Sequence, residues 1–150
     1  MCYNIVTMKY SDFLATEKDK PCPFCATDVK ERILQNKTAY LTFALAPYHP
    51  DHLLVVPKRH IEHILDVTRE EMADVDDLQD KGWRLLQKLG YRSVSFIVRE
   101  GDQSGRTVTH IHFHVIPDVR LGDIDHNGDE RKILELEESK QLVYKLRKLL

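Results

Sequence analysis

A chain of 150 residues, 42% of them hydrophobic and 31% charged, suits one domain with an adequate core and leaves no room for several. A formal net charge of −2 argues against a protein that coats nucleic acid or lies on an anionic membrane surface, and no apolar run approaches the ~18 residues of a membrane span. Residues 1–6 lack the basic-then-apolar pattern of a secretory signal, and three cysteines fit a reducing compartment better than a disulfide scaffold, so the expected setting is the cytoplasm.

Residues 1–20 read as a polar lead-in with Phe13 and Leu14 as a local apolar pair. Thr38–Ala46 is rich in β-formers and predicts a strand. Pro47–Asp51, with two prolines, predicts a turn, and His52–Val56 a second strand stopped by Pro57. The short connection makes the two an antiparallel pair. Thr68-Arg69-Glu70-Glu71 has capping-box spacing. Met72, Val75, Leu78, Gly82, Leu86 and Leu89 follow at helical intervals, with Trp83 and Leu85 widening the stripe and Gly90 as a stop. Ser93–Arg99 predicts a third strand, and the loop Gly101–Gly105 leads into another from Thr107. After a turn at Asn127-Gly128, residues 129–150 predict a second amphipathic helix, with Ile133, Leu136, Val143, Leu146 and Leu150 on one side. The sum is one α+β domain over 1–150: an antiparallel meander of about five strands, a long helix packed on it and an extra C-terminal helix.

The most informative segment is His110-Ile111-His112-Phe113-His114-Val115-Ile116. Period-two alternation marks a strand with one buried face, here Ile111, Phe113 and Val115. The other face then carries three imidazoles in a row. Packing gains nothing from such a row, whereas imidazole near neutral pH can serve as base, acid, nucleophile or metal ligand. His110 and His114 would lie ~13 Å apart at Cα, too far to share one metal from a regular strand. A division of labour among the rings is expected. Just upstream, the N–H groups of Gly101 and Gly105 and the hydroxyls of Ser104 and Thr107 could donate to phosphate oxygens, with Arg99 and Arg106 adding positive charge.

Cys22-Pro23-Phe24-Cys25 is a C-x-x-C that admits three readings: half of a zinc site, a redox pair, or two small buried residues. The redox reading wants a βαβ context that is missing here, and a zinc site would need histidines to complete it.

The alternating histidines resemble the signature of the histidine triad (HIT) superfamily. Gly101…Gly105-Arg106-Thr107-Val108-Thr109 is similar to that family's phosphate-binding approach, and Leu53–Ile61, with His52 before it, resembles its other well-marked segment; the likeness covers about residues 22–118. The resemblance implies a nucleotide hydrolase or nucleotidyl transferase. In it His112 attacks the α-phosphorus of a phosphoramidate, dinucleoside polyphosphate or nucleotide-sugar-like substrate, forming a nucleotidyl-histidine. It implies that His114 and His52 bind phosphoryl oxygens or protonate the leaving group, that the approach loop with Gly105 and the Thr107 hydroxyl binds phosphate, and that catalysis needs no metal; the charges of Arg99 and Arg106 add them to the expected phosphate-binding set. In members with an early C-x-x-C, resembling galactose-1-phosphate uridylyltransferase, the cysteines join two histidines around structural zinc. Here those are Cys22, Cys25, His60 and His110, with His63 as the competitor of His60. A homodimer is also implied, while His49 and His126 are expected to be solvated bystanders.

This chain departs from the family pattern at three positions: Arg99 stands where an Asn is frequent, Ala44 where an acidic residue holds the ribose, and Arg106 where Gln or Ser-type donors occur. The added charge suggests a more anionic ligand such as a polyphosphate. Two other readings stay open: a nucleotide-binding sensor or scaffold with weak turnover, and an unrelated β fold using the H-x-H pairs as a catalytic metal site.

Overall fold

The structure, a computed structural model, describes residues 20–44 and 46–119, and positions 137, 141, 144, 147 and 148 of the C-terminal segment. Backbone contacts divide the chain into two units, one ending at Val119 and the other running from Arg120 to Leu150. In the second unit Glu137, Gln141, Tyr144 and Arg147 are helical and exposed, as the predicted helix requires at those positions. The lead-in, the Asn127-Gly128 turn, His126 and the apolar stripe of the second helix lie outside the described residues.

The first unit is a five-stranded antiparallel sheet with one long helix, an α+β fold as expected. The strands are β1 (Leu34–Gln35), β2 (Ala39–Phe43), β3 (Leu53–Pro57), β4 (Val94–Val98) and β5 (Phe113–Pro117), and the helix is α1 (Arg69–Lys88). Spatial order is β1-β2-β3-β5-β4. The first three strands form a meander, but β5 inserts between β3 and β4, so the segment carrying the histidines is central rather than terminal; the strand itself begins at Phe113 rather than at Thr107, so His114 lies within it while His110 and His112 precede it. All five residues of β5 are buried, as a strand paired on both edges demands, whereas Phe96 and Val98 of edge strand β4 are exposed. The two-residue β1, paired with β2, was not anticipated; it is too short to carry a periodicity.

Alternation assigns the two faces. Ala39, Leu41, Leu53, Val55, Ile111, Phe113 and Val115 pack with Val75, Leu78 and Leu86 of α1 into the main core. Their alternate neighbours Tyr40, Leu54 and Val56 form a small cluster on the opposite face, joined by Phe24. The helix begins where expected: Thr68 is the N-cap, with a complete capping box to Glu71. Gly82 allows the closest approach, since an added Cβ would stand 3.3 Å from Leu41 Cδ1. Met72 and Leu89, expected on the apolar stripe, are 39% and 66% exposed; the buried stripe is instead Glu71, Val75, Leu78, Gly82 and Leu86, and Leu89 is the C-cap beyond the helix.

Candidate active site and metal centre

The register explains how the histidines meet. His114 of β5 pairs with Leu54 of β3 and Ile97 of β4. His52 immediately precedes β3, which carries its ring to that of His114 at a centroid distance of 5.1 Å. His112 and His114 rings lie 4.9 Å apart. All four of His52, His110, His112 and His114 are buried. Burial, which penalises the imidazolium, is the first cause lowering each of their pKa values; His52 falls to about 4 and His114 to about 3, with neighbouring histidines and Arg99 adding repulsion. The rings are therefore neutral at pH 7.

Neutral rings have one N–H each, and the partners decide which nitrogen carries it. A carbonyl can only accept, so His112 donates from Nδ1 to the His110 carbonyl at 2.8 Å, leaving a lone pair on Nε2. The Tyr48 backbone N–H donates to His52 Nδ1 at 3.2 Å, which puts the His52 proton on Nε2. That Nε2–H donates to His114 Nδ1 at 2.9 Å. The His114 proton is thus on Nε2, a buried nitrogen without a partner among the described residues. His112 is set as an electron-pair donor and His114 as a proton donor, side by side.

Both rings line a cleft, with His52, Phe24, Tyr48, Arg99, Gly105, Arg106 and Thr107 also on its wall. The approach loop turns at Gly101 (φ 82°) and Gly105 (φ 74°), left-handed positions that favour glycine. Gly105, Arg106 and Thr107 reach the cleft as expected. The Ser104 hydroxyl does not behave as a phosphate donor: it donates to the Gly101 carbonyl at 2.7 Å and closes the turn. Among the apolar candidates for base stacking, Phe24 and Phe43 line the cleft, while Leu41 belongs to the core beneath α1 and Leu45 lies outside the described residues. Phe24 packs on His112 at 4.9 Å. Sequence reasoning missed Tyr48, hidden in a proline-bounded turn, and Glu31, whose carboxylate lies on the same wall. His49 is not among the residues of the cleft wall: its Nδ1 accepts from the Asp51 N–H and its ring meets Tyr91 edge-on.

The donor atoms of Cys22, Cys25, His60 and His110 lie within 4.8 Å of one another. Cys22 Sγ and Cys25 Sγ stand 3.4 and 3.5 Å from His110 Nδ1, and Cys25 Sγ stands 3.3 Å from His60 Nδ1. Tetrahedral zinc with bonds of about 2.3 Å to sulfur and 2.0–2.1 Å to nitrogen separates S and N by roughly 3.5 Å, so the donor set fits zinc. The far ring nitrogens also have the partners that metal-bound imidazoles want. His110 Nε2 donates to the Pro57 carbonyl at 2.9 Å, and His60 Nε2 meets Glu62 Oε1 at 3.1 Å. Burial first, and Cys22 second, raise the Cys25 thiol pKa, an opposition that a divalent cation would remove.

Local packing selects His60 over His63. Ile61 is buried in the main core and its carbonyl accepts the Ile111 N–H at 2.6 Å, which sets His60 beside His110. Arg59 is clamped on Glu71 through two 2.8 Å bonds. His63 turns away to Glu100 at 3.2 Å. The cysteine loop is fastened independently, since Tyr40 donates to the Phe24 carbonyl at 2.7 Å.

The HIT domain family matches residues 27–121, more than half of the chain. The bifunctional bis(5'-adenosyl)-triphosphatase/adenylylsulfatase of Arabidopsis thaliana is 30% identical over 127 residues, 79% of this chain and 66% of that protein. The bis(5'-adenosyl)-triphosphatase of Dictyostelium discoideum is 31% identical over 111 residues, 67% of this chain and 69% of that protein. The chain thus spans about two thirds of the length of these relatives. A zinc-bound histidine triad family protein from Mycobacterium smegmatis shares the fold with a TM-score of 0.58 and 26% identity, over 85% of this chain and 94% of the other. Since the family match runs from Thr27 through the whole histidine row to Leu121, this chain belongs to the HIT domain family.

Proposed function

We propose that the protein is a nucleotide hydrolase, or a transferase to a second acceptor, that cleaves at the α-phosphate of a dinucleoside polyphosphate, a nucleoside phosphoramidate or a nucleotide-sugar-like compound. One observation carries this reading. His112 keeps its proton on Nδ1, against the His110 carbonyl, and turns a free Nε2 toward a cleft where His114 Nε2–H has no partner among the described residues. In the first step His112 Nε2 forms a bond to the α-phosphorus as the bond to the leaving group breaks; the neutral His114 Nε2–H hydrogen-bonds the departing atom, and the leaving group departs as the phosphate anion or, for an amine, takes its proton from solvent. The nucleotidyl imidazolium keeps its Nδ1–H on the same carbonyl, which stabilises the new positive charge. In the second step water attacks phosphorus, loses its proton to solvent, and releases neutral His112 and the nucleoside monophosphate.

His52 keeps His114 in the donating tautomer, and Gly105, Arg106, Thr107 and Arg99 hold phosphoryl oxygens. Phe24, with Phe43, provides the apolar surface for a base. Zinc, held by Cys22, Cys25, His60 and His110, would serve structure: it would fix the loop that carries Phe24 and the His110 carbonyl that orients His112. Residues 22–118 form the working core of a single HIT-like domain, and no function is assigned to residues 129–150. Exposed Phe96 and Val98 on edge strand β4 favour a homodimer, which light scattering would test. Among the described residues no helix is long and apolar enough to cross a membrane. A cytoplasmic setting is part of this proposal, supported by a cysteine usage that suits a reducing compartment.

The function is tested by offering bis(5'-adenosyl) triphosphate, the tetraphosphate and adenosine 5'-phosphoramidate to the wild type and to His112→Gln, following adenosine monophosphate chromatographically. Release by the wild type and its loss in the variant support a hydrolase. Nucleotide retention without release by either protein would replace it with a binding module.

A further inference from the structure

Arg99 follows β4 by one residue. The last pair of the ladder is Val98 with Phe113, so alternation puts Arg99 on the imidazole side of the sheet next to His112. Its side chain does not lie loose. Nη1 donates to the Tyr48 hydroxyl at 2.7 Å, and the guanidinium carbon stands 5.2 Å from the Tyr48 ring centroid. The Tyr48 ring in turn stacks on His52 at 5.7 Å and 25°. Tyr48 thereby fixes Arg99 from two directions at the end of the cleft where His52 and His114 meet. Among the described residues no carboxylate pairs with Arg99.

The remaining charges on the wall sharpen the point. Arg106 is already bound on one side, through Nη1, to the Glu62 and Thr109 carbonyls. Glu31 keeps a carboxylate oxygen on the Asp28 N–H at 3.2 Å, tying it to its own turn. A single α-phosphate with one negative charge is matched by Arg106 and the donors of the approach loop, leaving Arg99 a surplus cation that needs a further anion. A guanidinium pairs with phosphate oxygens through two parallel bonds, and phosphate groups beyond the α position would supply them.

We propose that Arg99, held by Tyr48, binds the leaving group and selects substrates in which a phosphate chain, rather than an uncharged amine, is attached to the α-phosphate. This rests on the hydrolase reading above and adds the class of leaving group to it. Arg99 acts on affinity for the chain and on its placement beside the His114 proton, while the attacking bond remains that of His112.

The test is a specificity ratio: kcat/KM for bis(5'-adenosyl) tetraphosphate divided by that for adenosine 5'-phosphoramidate. It is measured for wild type, Arg99→Met, Arg99→Lys and Tyr48→Phe, each checked for an unchanged melting temperature. Arg99→Met should lower the ratio about 10- to 100-fold, the value of a charged hydrogen-bonding pair, mostly through KM of the tetraphosphate. Arg99→Lys should recover part of it, and Tyr48→Phe should lose about 3- to 10-fold. The tetraphosphate reaction of wild type should also fall more steeply with added salt than that of Arg99→Met. A ratio within threefold of wild type in Arg99→Met would overturn the proposal. If the wild type turns over neither compound, the hydrolase reading has failed. Calorimetric binding of a non-hydrolysable methylene analogue of the tetraphosphate, against adenosine monophosphate, then decides the Arg99 assignment alone. Selective loss of analogue binding in Arg99→Met supports it, and equal affinity in both proteins overturns it.

Discussion

His110 and His114 are the two ends of one row, made of the same side chain on the same face of the same segment, yet they are built for different work. His110 donates from Nε2 to a backbone carbonyl and turns Nδ1 toward two sulfurs. His114 does the reverse, accepting at Nδ1 from His52 and leaving Nε2–H unpartnered among the described residues. Between them His112 uses a third arrangement, with Nδ1–H on the main chain of His110 itself. The tautomer, and with it the chemistry, is set by what each ring meets: His110, ahead of the strand, meets the cysteine loop, whereas His114, inside β5, meets His52.

The most severe way to test this division is at its middle. His112→Gln should abolish turnover by about 10³-fold or more and leave zinc content and melting temperature near those of wild type. A comparable loss of stability would mean that the catalytic and structural ends are not separate. Next in size, Cys25→Ser should lose zinc in native mass spectra and melt roughly 10 °C lower, a loss of about 3 kcal/mol. Activity lost without any change in melting temperature would instead make the cysteine end catalytic.

At the other end, His52→Phe removes the donor to His114 Nδ1 and should lower kcat about 30-fold with zinc retained. His52→Gln, whose amide can donate in place of Nε2–H, should recover part of it; equal loss in both would remove the tautomer argument. The smallest effect is on pH dependence. His52 and His114 have native pKa values of about 4 and 3, below the ordinary 6.5, so the native state binds fewer protons than the unfolded chain between these values. Their contribution to stability is complete above pH 6.5 and is eroded as the pH falls from there toward 3. Followed by thermal melting in the Cys25→Ser background, where metal release adds nothing, about 1 to 2 kcal/mol should go between pH 6.5 and 5.5. The slope should be shallower in His52→Phe.

The two ends also differ in how far they could be read from residues alone. The histidine row was legible because period-two alternation separates Ile111, Phe113 and Val115 from the imidazoles without reference to any distant segment. The helix was legible for the same kind of reason, its stripe and its Thr68–Glu71 cap being local. The metal end was not, since its four donors come from three separated segments. Spacing could not choose between His60 and His63, a choice made by burial of Ile61 and the clamp of Arg59 on Glu71. Nor could it place β5 between β3 and β4, because a hairpin pattern says which strands are partners and not which of the two faces the rest of the sheet. Tyr48 gave no signal, as its role comes from a backbone N–H and a ring stacked on His52 across a turn.

The central claim is that His112 Nε2 becomes covalently bonded to the α-phosphorus. Rapid acid-free quenching of the protein with bis(5'-adenosyl) tetraphosphate and with adenosine 5'-phosphoramidate, followed by intact-protein mass spectrometry and peptide mapping, tests it most directly. The account predicts a transient adenylyl increment on the wild type that maps to His112, is absent from His112→Gln and decays as monophosphate is released. Monophosphate release without any increment under single-turnover conditions, or an increment that persists in His112→Gln, would contradict it.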